Sequence, residues 1–204
     1  MILKNNQRSS LNVKDKYGKI IFPDYPEFKP NLTPKEIFSR GSFGGIYWKE
    51  IYSNVANKKF SNQHLEFSKW WDEIPNELLI NEIYDKNLNR FKVSSGTSLR
   101  MWESKGWIRE QDPYGWVQWY CRFFVGRRSI DDDRQIKRWL NFTGPKGRFK
   151  NMLIKKIIAN ETVFNDESIS PVIRQSLQHW AYELTQNDFE EASLVLWKNQ
   201  FVTS

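Results

Sequence analysis

The chain has 204 residues, a formal net charge of +7, 16% aromatic residues and a single cysteine, Cys121. One cysteine excludes an intramolecular disulfide and a cysteine-built zinc site, and no run of about 18 apolar residues exists to span a membrane. Met1 to Ser10 lack an apolar h-region, so the expectation is an intracellular protein, in nucleus or cytoplasm, that is not secreted.

Along the chain, residues 1–32 read as an extended arm. Pro23, Pro26 and Pro30 break regular structure there, and Phe22, Tyr25 and Phe28 can lie on the body. Thr33-Pro34-Lys35-Glu36 is a helix start with a capping box, and that helix stops near Gly41. Gly41-Ser42-Phe43-Gly44-Gly45 reads as a structural turn, since it lacks the spacing and lysine of a P-loop. Trp48, Ile51, Tyr52 and Val55 are spaced as one face of a helix of two turns. His64 to Asp72 reads as packed but irregular, and 74–79 as a short helix. Thr97 is positioned to cap a helix running to about Ser104.

The next stretch carries most of the signal. Asp112-Pro113 predicts a helix start, after which Trp116, Trp119, Tyr120 and Phe123 fall on one face, expected to be core. Ser129-Ile130-Asp131-Asp132 reads as a capping box opening a helix with Ile136, Trp139 and Leu140 inside. A further helix spans 147–159, one begins at Ser170-Pro171, and the last runs from Asn187 or Asp188 through Trp197. The expected fold is mainly α: a single compact helical domain over 33–204 with an aromatic core and an extended N-terminal arm. Its basic trihelical segment covers 113–158.

Charge is local. From Arg122 to Lys156 there are eleven Lys and Arg against three Asp, a net of +8 that leaves −1 for the rest of the chain. A clustered positive segment favours a polyanionic partner. The candidate nucleic-acid-binding residues are Arg127, Arg128, Arg134, Lys137, Arg138, Lys146, Arg148, Lys150, Lys155 and Lys156. On a trihelical unit they can present one helix to a groove and loop lysines to phosphates. Acid–base candidates are few: His64 and His179 are the only histidines, and a Cys121–His179 nucleophilic pair competes with a plain buried cysteine.

One resemblance spans about residues 30 to 185. Trp102-Glu103-x-Lys105-Gly106-Trp107-Ile108, Asp112-Pro113-Tyr114-Gly115-Trp116-x-Gln118-Trp119-Tyr120-Cys121-Arg122-Phe123, and Gly126-Arg127-Arg128 with Asp131-Asp132-x-Arg134-Gln135-Ile136-x-Arg138-Trp139 carry it. Gly41 to Gly45 and Ser170 to Gln175 extend it. The chain resembles a tryptophan-rich family of algae, fungi and large DNA viruses of amoebae. The family has no established activity, so the resemblance transfers no catalytic residue. It implies a eukaryotic or viral intracellular setting, host cell or virion.

The functional expectation is non-enzymatic nucleic-acid binding, duplex DNA in preference to RNA, through phosphate contacts and without a cofactor or metal. One alternative is a metal-dependent enzyme acting on nucleic acid or a phosphorylated substrate, with Asp112, Asp131 or Asp132 and Glu103 as ligands or acid–base groups. The other is a virion or structural interaction protein whose basic face meets an acidic protein partner.

Overall fold

The computed structural model describes residues 14–201, with side chains as far as Val195. Residues 1–13, which hold most of the expected arm's N-terminal half and the Met1–Ser10 reading, lie outside the described residues, as do 202–204. The elements in order are α1 (Pro34–Ser39), β1 (Ile51–Ser53), β2 (Lys58–Phe60), α2 (Leu99–Ser104), α3 (Trp116–Phe124), α4 (Asp132–Thr143), α5 (Arg148–Ala159), α6 (Pro171–His179) and α7 (Gln186–Phe201), with short 3-10 segments between. The chain is mainly helical with one two-stranded antiparallel sheet. None of its helices among the described residues is long and apolar enough to cross a membrane.

The aromatic face of α3 is core. Trp119, Tyr120 and Phe123 are fully buried and Trp116 nearly so. Phe28 is the ring around which several of them gather, with Trp119, Tyr120, Phe123 and Trp139 at centroid distances of 5.7, 5.9, 5.5 and 5.1 Å. Such tilted and edge-on ring pairs add to the area they bury. Ile20, Phe22 and Leu32 are buried beside it, and the Tyr120 hydroxyl donates to the Leu32 carbonyl. Residues 20–32 therefore supply core side chains. α1 also packs against α3, and its capping box forms as the sequence predicts: Glu36 N–H donates to Thr33 Oγ1, and Thr33 N–H to the Glu36 carboxylate.

Four expectations need correction, and the simplest is the cap of α2, which is Ser98 and not Thr97, its Oγ accepting from Met101 N–H. The spacing of Trp48, Ile51, Tyr52 and Val55 is not helical structure but a β-hairpin, with Ile51 opposite Phe60. Trp48 N–H is taken by the Leu79 carbonyl, and Glu103 captures both the backbone and the amide of Asn54, so an i→i−4 ladder cannot form. α3 starts at Trp116, three residues later than Asp112-Pro113 implied, because Gly115 sits at φ 86 and the Tyr47 phenol oxygen and Gln118 carboxamide do the capping. α4 starts at Asp132, and Ser129 joins it by donating N–H and Oγ to the Asp132 carboxylate.

The 41–45 turn is a packing device. A Cβ at Gly45 would lie 2.0 Å from the Glu77 carbonyl oxygen, and one at Gly41 2.1 Å from that of Leu88. Its N–H groups are spent internally, Phe43 on His179 Nε2 and Gly44 on Asn89 Oδ1, so none of these donors is left for a phosphate. His179 stacks on the Phe43 ring at 3.9 Å, and burial drives its pKa from 6.5 to about 3.

Two outcomes follow. Phe28→Ala removes a ring that touches five others and is expected to cost about 3–5 kcal/mol in denaturant unfolding; a cost near zero would show that 20–32 is a detachable strap. A histidine whose folded pKa lies below its unfolded value resists protonation only in the native state. Its contribution is whole above the unfolded value and is lost as pH falls, at up to about 1.4 kcal/mol per pH unit below 6.5. His179→Gln is therefore expected to shallow the fall in unfolding free energy between about pH 6 and pH 4, and parallel curves for variant and wild type would refute it.

Candidate nucleic-acid interface

The ten basic residues anticipated as phosphate contacts separate into two groups of five. The first is consumed by the fold. Arg127 Nη1 and Nη2 donate to Asp112 Oδ1 and Oδ2 at 2.8 and 2.7 Å. Arg128 reaches back to Asp24 and lies over the Phe123 ring, 3.8 Å from its centroid. Arg134 holds Asp131, with Nη2 to Oδ2 at 2.8 Å. Arg138 donates to Gln135 and spreads over the Trp107 and Trp180 rings at 5.3 and 5.2 Å. Burial, and then the charge of neighbouring Arg134, press its pKa down to about 10. Lys150 is 7% exposed above the Tyr182 ring, and burial lowers its pKa while Asp188 opposes the shift.

The second group stays out. Lys137 on α4, Lys146 in the connecting loop, and Arg148, Lys155 and Lys156 on α5 are exposed, and none forms an ion pair among the described residues. The helices α4 and α5 pack against each other, so these five lie on one helical hairpin. Arg148 and Lys155 are seven residues apart and share a helix face. α3, by contrast, is enclosed from Trp116 to Cys121. Of the three helices in the expected basic unit, α3 therefore cannot enter a groove, and α4 and α5 carry the available charge.

The carboxylates are also assigned. Asp112, 1% exposed, accepts from Arg127 and from Arg122 Nη1 at 2.9 Å. Burial opposes the charge on Arg122, but hydrogen bonds to Glu66 and the charges of Glu66 and Asp112 outweigh it and raise its pKa. Asp132 accepts Trp119 Nε1 at 2.8 Å, Asp131 is held by Arg134 and Gln135, and Glu103 fastens the Ser53–Asn54 turn. The set Asp112, Asp131, Asp132 and Glu103 is thus not gathered at one point. Among the described residues no three His, Cys, Asp or Glu side chains stand together as a metal ion needs. Cys121 is fully buried, its thiol pKa pushed well up by burial, and no hydrogen bond joins it to His179.

Sequence reading did not anticipate a cleft of about 570 Å³ lined in part by Arg40, Arg90, Arg174 and Glu183. These residues come from separate elements, so no local pattern links them.

Asp112→Asn leaves two guanidiniums short of their carboxylate. Its expected cost in denaturant unfolding is about 3 kcal/mol, the lower end for a broken buried pair because both arginines still reach solvent. Lys155→Gln should change stability by less than about 0.5 kcal/mol. Similar small effects for both would show that the Asp112 cluster holds nothing together. No family model, no curated protein and no solved structure matches this chain.

Proposed function

We propose that the protein is a non-enzymatic, intracellular nucleic-acid-binding protein that works as a single compact domain and grips duplex DNA by its phosphates through the α4–α5 hairpin. The observation that carries this reading is the set of five exposed cations, Lys137, Lys146, Arg148, Lys155 and Lys156, without carboxylate partners among the described residues. Unneutralised charges on one surface attract a polyanion and release its counterions. The contact set is narrower than the ten residues of the basic segment, because Arg127, Arg128, Arg134, Arg138 and Lys150 are engaged within the protein. Duplex DNA is preferred over single strands because the free groups are flexible cations on α4, α5 and the loop between them, a set suited to phosphates more than to stacked bases. Trp116, Trp119 and Trp139 are all buried.

Fluorescence anisotropy with labelled duplex DNA tests this. With all five contacts made, the slope of log K against log salt should be about −4 to −5. The Lys137→Gln, Lys146→Gln, Arg148→Gln, Lys155→Gln, Lys156→Gln protein should lose most of that slope, whereas Lys58→Gln, Lys59→Gln, which removes two exposed lysines of the β-hairpin, should keep it. Salt-independent binding, or equal loss in both variants, would sink the assignment.

A further inference from the structure

The 570 Å³ cleft lies apart from the free cations of the α4–α5 surface, none of which lines it. Its walls come from the turn at Lys14–Gly18, the residue closing α1, Arg90, the 164–167 turn, α6 and the chain leading into α7. Glu183 sits inside, its two carboxylate oxygens held by Arg40 and Arg90 from different directions. Arg90 also holds Glu167 at 2.8 Å, and Lys14 is taken by Glu36.

Arg174 is the exception. It is 7% exposed, and no carboxylate lies within 4.0 Å of its guanidinium among the described residues. Its Nε donates to the Ile169 carbonyl at 3.0 Å and its Nη2 to the Phe164 carbonyl at 2.9 Å. Those two bonds fix the plane of the group and leave Nη1 without a hydrogen-bond partner among the described residues. Burial lowers its pKa, and Glu167, Asp166 and Glu183 oppose that only through space. The lining of the cleft thus holds three guanidiniums and two carboxylates, and the guanidinium without a carboxylate contact is the most deeply buried of the three. An ionised side chain is costly to desolvate unless a counter-ion completes it.

We propose that this cleft binds a small phosphorylated molecule, with Arg174 and Arg90 receiving the phosphate oxygens and Arg40 holding Glu183 aside. Guanidinium groups grip tetrahedral oxyanions by paired N–H donors, and the fixed Arg174 plane presents Nη1 for that purpose. Arg40 and Arg90 already share one oxyanion, the Glu183 carboxylate; with that carboxylate kept by Arg40, Arg90 Nη1 is the donor that turns to the phosphate beside Arg174. The volume exceeds that of a bare phosphate and falls in the range of about 300–1,000 Å³ typical of small-molecule sites. Tyr17, Phe164, Asn165 and Leu184 line further parts of the space, where an attached organic group would lie.

Isothermal titration calorimetry on the full chain at constant ionic strength tests the assignment with inorganic phosphate, adenosine 5′-monophosphate and neutral adenosine. The expected result is saturable binding of the monophosphate, competed by inorganic phosphate, with no heat from adenosine. The relative affinities of the two anions separate a site for free phosphate from one that also holds the attached group. Arg174→Met should weaken binding by about tenfold or more. Asn165→Trp, at an exposed position on the rim, should block the organic ligand and leave stability unchanged, which keeps the test alive if Arg174→Met does not fold. Lys155→Gln, Lys156→Gln should bind the monophosphate as wild type does, so this site can fail or stand independently of the DNA-binding surface. Absence of saturable binding of either anion to the wild-type protein, or unchanged affinity in both cleft variants, would overturn it.

Discussion

A single buried carboxylate, Asp112, organises the most charged part of this protein. It accepts hydrogen bonds from Arg122 on α3 and Arg127 in the turn after it, and Arg122 continues to Glu66 in the 3-10 segment at 63–70. The two ends of α3 and a segment some fifty residues earlier are thereby tied to one point. A charge this deep is tolerable only when its partners are complete, and the geometry supplies both guanidiniums at 2.7–2.9 Å. The consequence reaches beyond stability. Arg127 is committed to Asp112 and cannot also serve a ligand's phosphate without abandoning a buried anion.

The aromatic core follows a parallel logic, with rings that bury area at one end and tether backbone or carboxylate at the other. Trp119 Nε1 donates to Asp132, Trp139 Nε1 to the Trp180 carbonyl, Trp71 Nε1 to the His64 carbonyl and the Tyr182 hydroxyl to Asp188. The Trp119 and Trp139 bonds cross between elements, and the Trp71 bond closes the 3-10 segment at 63–70 on itself. Rings with a polar handle therefore set the position of neighbours as well as filling space, which suits a chain whose stretch from Gly41 to Ser98 holds little regular structure beyond a short hairpin. There the backbone is positioned by such side-chain bonds and by close approaches at Gly41 and Gly45 in place of long ladders.

Much of the helical framework was legible in the sequence because its signals are local. The capping box at Thr33, the i, i+3, i+4, i+7 rings of α3 and Ser170-Pro171 before α6 all lie within a few residues of what they specify. The failures share the opposite property. Residues 48–55 have helical spacing, but Leu79 and Glu103, distant in sequence, claim the donors there. Asp112 reads as a cap, but Arg122 and Arg127 claim it. The ten basic residues were legible as a cluster, whereas their availability was not: the partner of Arg128 is Asp24, 104 residues away, and those of Arg138 include two tryptophan faces from different elements. The Arg40, Arg90, Arg174 cleft left no trace in any window of sequence for the same reason.

A cluster of like charge in sequence is therefore two populations in space, and burial with partner chemistry sorts them. Cations paired with buried carboxylates or spread on aromatic faces hold the fold, and moving them to an outside ligand would strand their partners. Cations in solvent with no partner lose only hydration and counterions when a polyanion arrives, and regain both in contact energy and counterion entropy. A third kind is the buried cation satisfied by carbonyls alone. Backbone carbonyls orient Arg174, and the carboxylates of Glu167, Asp166 and Glu183 act on it only through space. By this sorting the five cations of α4 to α5 stand in solvent without a carboxylate contact among the described residues, and Arg174 stands buried without one, in two separate parts of the protein.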